Sequence, residues 1–67
     1  MKLVVNGEPF EHRGEARLPA VLSAYGVVSS ARVAVVVNDD VVPQARRDGT
    51  VLREGDRIEV LTFAGGG

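Results

Sequence analysis

The residues of this chain best suited to chemistry are its last. Gly65, Gly66 and Gly67 follow Ala64 and put three of the eight glycines together at one end. A glycine run buries nothing and carries the largest backbone entropy cost, so it is expected to project from the domain as a mobile thread without side chains. What such a thread offers is its α-carboxyl. With a reference pKa of about 3.3 to 3.7, that group is ionised at neutral pH and stands ready as a nucleophile. Gly66 and Gly67, having no Cβ, let a backbone thread enter a site too narrow for any other residue.

No other group of residues competes with the tail. His12 is the only histidine, and no second ligand stands at strand or helix spacing from it, so a solvated place on an edge strand is expected. Asp39 and Asp40 are adjacent, so their side chains diverge; they suit a turn rather than a cation site. Arg46 and Arg47 read as a solvated pair in a surface loop, and Tyr25, at helical spacing, reads as core. No G-x-x-x-x-G-K loop is present, so the chain is not expected to bind ATP unaided.

The elements that must position the tail follow from periodicity. Met1, Leu3 and Val5 alternate with Lys2, Val4 and Asn6, which predicts a strand with one buried side. Asn6-Gly7 then predicts a tight hairpin turn, because a type I′ turn needs positive φ at both central residues. Glu8 to His12 return antiparallel with Phe10 as the apolar anchor and Pro9 near an edge. Leu18, Val21, Leu22 and Tyr25 share one face of a two-turn helix, with Pro19 in its first turn and Gly26 just past its end. Val33 to Val37, apolar on both faces, reads as a central strand. Asn38-Asp39-Asp40 turns the chain into a short Val41-Val42 segment closed by Pro43. Gln44 to Thr50 reads as a surface loop, Leu52 returns to the core, and Gly55-Asp56 turns into a last strand through Ile58, Val60 and Thr62. This order predicts an α+β domain of the β-grasp, or ubiquitin-like, type: a mixed sheet of four to five strands and one main helix over residues 1–63, followed by a flexible tail at 64–67.

A chain of 67 residues, 45% apolar, makes one small domain with a modest core, so its chemistry is expected to be shared with a partner. Eight Lys and Arg against nine Asp and Glu give a net charge of −1, which removes the electrostatic attraction behind non-specific nucleic-acid binding. The longest apolar run, Val33 to Val37, is far short of a membrane span, and Leu3 to Val5 is too short for the apolar region of a signal peptide. No nucleic-acid partner, no membrane and a cytoplasmic location are expected.

Asn6-Gly7-Glu8, Leu18 with Val21-Leu22, Val33 to Asn38, Val41-Val42-Pro43, Leu52 with Gly55-Asp56 and the terminal Gly66-Gly67 occur in one order and spacing. In these the whole chain resembles the thiamine-biosynthesis sulfur carrier proteins, the ThiS family. The resemblance implies a protein cosubstrate rather than an enzyme. An adenylating, E1-like activating enzyme would adenylate the carboxylate of Gly67 with its own ATP and Mg²⁺. A sulfur donor such as a cysteine desulfurase would convert it to a thiocarboxylate, and a thiazole synthase or other acceptor enzyme would take the sulfur. No cofactor or metal on this chain is implied. Since the sequence has no cysteine, any sulfur it carries must sit on its C-terminus. The small subunit of molybdopterin synthase shares the fold and the diglycine; carriers for cysteine synthesis, tRNA thiolation or a secondary metabolite share the chemistry. A ubiquitin-like modifier or interaction module stays open beside them.

The sheet face turned away from the helix completes the expectation. Val4, Ala34, Val36, Leu61 and Phe63 have the parity opposite to the core set and so form an apolar patch that no element of the chain covers. The partner is expected to grip Val4, Val36, Leu61 and Phe63, with Ala64 and Gly65 at the root of the tail. Phe63 is the proposed anchor.

Overall fold

Strands whose side chains alternate between two faces pair through their backbones into one five-stranded mixed sheet in the computed structural model, which describes residues 1–27 and 32–62. One hairpin joins β1 (Lys2–Val5) to β2 (Glu8–Glu11), and a second joins β3 (Val33–Val37) to β4 (Asp40–Val42). β5 (Arg57–Thr62) enters between them, giving the order β2-β1-β5-β3-β4. It runs parallel to β1 and antiparallel to β3, with Val5 opposite Ile58 and Val35 opposite Val60. Both hairpins close through two residues at positive φ: Asn6 (52°) with Gly7 (80°), and Asn38 (49°) with Asp39 (72°). Paired positive-φ residues match the twist of the strands they join.

One helix, α1 (Leu18–Tyr25), lies across one face of the sheet. Pro19 stands in its first turn, where a missing N–H leaves no intrahelical bond unmade. Gly26 ends it at φ 110°, its N–H reaching the carbonyls of Leu22 and Ser23 at 3.2 and 3.1 Å. Leu18, Val21 and Leu22 point into a core completed by Leu3 and Val5 of β1, Val33 and Val35 of β3, Val42, Leu52, and Ile58 and Val60 of β5. The result is an α+β domain of the β-grasp type.

Three local expectations are corrected. Gln44 to Thr50 is not simply a loop, because α2 (Gln44–Arg47) forms directly after Pro43, and Arg47 is buried. Its Nη2 donates to the carbonyl of Val33 at 2.8 Å and its Nε to that of Val42 at 3.4 Å. These carbonyls lie where the β3–β4 ladder runs out, and the guanidinium supplies the donors that further β4 residues would have supplied. His12 is buried rather than solvated. It shares the inward parity of Phe10, its N–H continues the hairpin ladder to the Met1 carbonyl at 2.9 Å, and its Nε2 donates to the Glu15 carbonyl at 2.7 Å. Tyr25 stays 40% exposed: its ring meets the edge of Phe10 at 5.6 Å between centroids instead of entering the core.

Candidate functional site

β5 is the strand that delivers the chain to residues 63–67. It occupies the middle of the sheet, with β1 on one side and β3 on the other. Its inward side chains, Ile58 and Val60, are buried under α1. Its outward ones, Arg57, Glu59 and Leu61, are exposed on the uncovered face.

β1 accompanies β5 only as far as Val5 opposite Ile58. Beyond that point a side chain continues the ladder. The N–H of Asn6 donates to the Ile58 carbonyl at 2.8 Å, and Oδ1 of Asn6 accepts the N–H of Val60 at 2.8 Å. Nδ2 of the same side chain donates to the Tyr25 hydroxyl at 3.3 Å, so one residue ties the hairpin, the last strand and the end of the helix together. Asn6-Gly7 reveals the turn in the sequence; this second use of the side chain has no sequence signal.

On the uncovered face, Val36 stands opposite Glu59 on one side and Val41 on the other, and Ala34 stands opposite Leu61. Val4 is opposite Arg57. Val4, Ala34 and Val36 are half-buried by their neighbours, while Leu61 is 56% and Val41 65% exposed. A shallow hollow of about 230 Å³ is lined by Val4, Val36, Asp39, Arg57 and Glu59 among others. The expected patch residues Val4, Ala34, Val36 and Leu61 therefore share one face, and Val41 joins them because β4 pairs with β3 in that register. Phe63, Ala64, Gly65, Gly66 and Gly67 lie outside the described residues, as do the boundary and the tail expected at 64–67.

Two electrostatic contacts edge this face. Arg57 pairs with Asp39 at 3.2 Å, both side chains well exposed, and the Met1 ammonium pairs with Glu11 at 2.9 Å. Among the described residues no group of three or more His, Cys, Asp or Glu is arranged to hold a metal ion, and no helix is long and apolar enough to cross a membrane.

The ThiS family model matches residues 3–67 of this chain. A thiazole synthase from Paramagnetospirillum magneticum is 37% identical over all 67 residues, which make up 20% of that protein. The chain thus spans about a fifth of the length of the thiazole synthases it matches. The uncharacterized protein ycf40 of Pyropia yezoensis is also 37% identical, over the whole chain and 93% of its own length. Among solved structures, the crystal structure of thiamine biosynthesis protein ThiS from Geobacter metallireducens superposes with a TM-score of 0.82 at 36% identity, covering all of both chains. With the family model matching residues 3–67 and a solved ThiS structure superposing over the whole chain, the chain belongs to the ThiS family.

Proposed function

We propose that this chain carries sulfur for thiazole formation as a thiocarboxylate on Gly67, acting as a protein cosubstrate and not as an enzyme. The observation that carries the reading is the extent of the family match, which runs from residue 3 through the final glycine. An activating enzyme supplies ATP and Mg²⁺. A carboxylate oxygen of Gly67 attacks the α-phosphorus, pyrophosphate leaves, and an acyl-adenylate forms. The terminal sulfur of a persulfide, such as one made by a cysteine desulfurase, attacks the acyl carbon and displaces AMP. A second thiol then cleaves the sulfur–sulfur bond, and its own sulfur takes the other half as a disulfide. The thiocarboxylate left on Gly67 is the donor to thiazole synthase. In this scheme the folded domain contributes position: Val4, Val36 and Leu61 on the uncovered face meet the partner together with Phe63, which follows β5 in the chain. The cytoplasm, where ATP and reduced thiols are available, is the compartment that suits these steps.

The thiazole synthase relatives favour the thiamine pathway over the other carriers with this chemistry. The test is intact-mass measurement after incubation with activating enzyme, ATP, Mg²⁺ and a persulfide donor, where exchange of one oxygen for sulfur is expected. Gly66→Val is expected to keep the fold and lose the product, because a β-branched side chain cannot follow the backbone into a site shaped for glycine. Full product from a chain lacking Gly67 would overturn the proposal.

A further inference from the structure

Glu59 stands on the uncovered face between the Arg57–Asp39 pair and the apolar side chains beyond it. Its neighbours there are Val36, directly opposite on β3, and Leu61, two residues on along β5. Arg57, the nearest cation along the strand, is committed to Asp39 at 3.2 Å. The carboxylate of Glu59 makes no ion pair or hydrogen bond among the described residues. In water this costs nothing, but covering the face with a purely apolar partner would strip hydration from an unpaired charge at the centre of the contact, and that is strongly unfavourable.

The sheet edges direct a partner to this face rather than to themselves. Pro9, opposite Val4 on the outer strand β2, has no N–H to offer a new strand, and Pro43 follows β4 at the other edge. The tail sets the distance: the five residues after Thr62 reach at most roughly 17 Å when extended, so the surface around Leu61 must lie close to wherever Gly67 reacts.

We infer that Glu59 is a specificity-determining residue for docking on thiazole synthase, whose contact surface is apolar and presents an arginine or lysine cation to this carboxylate. The inference rests on the proposed use of this face for partner contact. Thiazole synthase is the chosen occupant because relatives of that name contain a segment matching this whole chain within their own polypeptide, which keeps the two partners at high effective concentration.

The experiment uses the full chain and purified thiazole synthase, with dissociation constants measured by calorimetry at low and moderate salt and a thermal melt of every variant. Glu59→Gln is expected to weaken binding roughly tenfold and Glu59→Lys on the order of a hundredfold, since like charges brought together at an interface cost far more than a lost pair. Neither should shift the melt appreciably, and the salt dependence of the parent should shrink in Glu59→Gln. Glu8→Lys changes the net charge like Glu59→Lys but on the edge strand, and it should bind nearly as the parent does. Equal losses in Glu8→Lys and Glu59→Lys would overturn the inference. So would normal binding by Glu59→Lys with weakened binding by Leu61→Ala, an outcome that retains the face and removes the cation. Normal binding by Leu61→Ala and Glu59→Lys alike, or none by the parent, would remove the docking face itself and this inference with it.

Discussion

The side chain of Asn6 and the backbone of Val60, 54 residues apart, are joined at 2.8 Å by a bond that stands in for a missing strand residue. β1 stops at Val5 because the hairpin must turn there, yet β5 continues to Thr62. Asn suits both demands: it tolerates φ 52°, and its amide oxygen reaches the next N–H of β5. Asn6→Ala leaves that part-buried N–H without an acceptor and places a Cβ residue in a left-handed turn. A loss of about 2 to 3 kcal/mol is expected in urea unfolding. Asn6→Asp keeps the acceptor and the turn and should lose less. Equal losses would show that the turn conformation, and not the bond to Val60, sets the cost.

Arg47 carries a second prediction. Its guanidinium satisfies the Val33 and Val42 carbonyls from a buried position. Arg47→Met fills similar space and removes the donors, so a loss of about 2 to 4 kcal/mol is expected from the carbonyls left buried. Arg47→Lys should recover little, because an ammonium cannot reproduce the planar fork. A denaturant midpoint unchanged in Arg47→Met would mean that the ladder end is solvated.

These two residues also mark where the sequence ceases to be readable. Asn6-Gly7, Pro19 and Gly26 act through local backbone conformation, so their types announce the hairpin and both ends of α1. The parity of Val4, Ala34, Val36 and Leu61 identifies the uncovered face, because a strand with one buried side repeats every two residues. Arg47 and His12 act through distant backbone. Whether Arg47 faces water or the Val33 carbonyl depends on where β4 ends, and His12 is covered because the chain folds back through Gly14 and Glu15. Neither arrangement is encoded in a window of neighbouring residues. Tyr25 kept its helical phase but sits at the end of a short helix, beyond the depth of the core, where Phe10 and Asn6 are its contacts.

The ammonium of Met1 and the carboxylate of Glu11 give a pH-dependent contribution to stability. Hydrogen bonding from that ammonium, then its charge, hold the Glu11 carboxyl below its ordinary value of 4.5. A carboxyl lowered on folding stabilises the folded state above its unfolded pKa and loses that contribution as pH falls through the lower folded value. The stability difference between parent and Glu11→Gln should therefore be small and constant near neutrality and shrink as pH drops below about 4.5. Because the pair is exposed, added salt should reduce the difference at neutral pH as well. A difference that grows on acidification would contradict this assignment.

Val60 and Leu61 test the division of the last strand between folding and contact with a partner. They are adjacent on β5 and point to opposite faces, Val60 into the core at 9% exposure and Leu61 outward at 56%. Val60→Ala removes buried methyl groups beneath α1 and should cost about 2 kcal/mol. That is a large part of the roughly 3 to 10 kcal/mol expected for a domain of this size. At a temperature where this variant remains folded, its yield of thiocarboxylate should match the parent's. Leu61→Ala should melt within a degree or two of the parent, since the side chain is already in water, yet require a higher carrier concentration to saturate the partner, because truncating a contact residue reduces affinity without altering the carboxylate that reacts. The two measurements, unfolding and saturation, should rank the variants in opposite order. The same order in both would mean that β5 is read by its partner through the stability of the whole domain, and the uncovered face would lose its role in recognition.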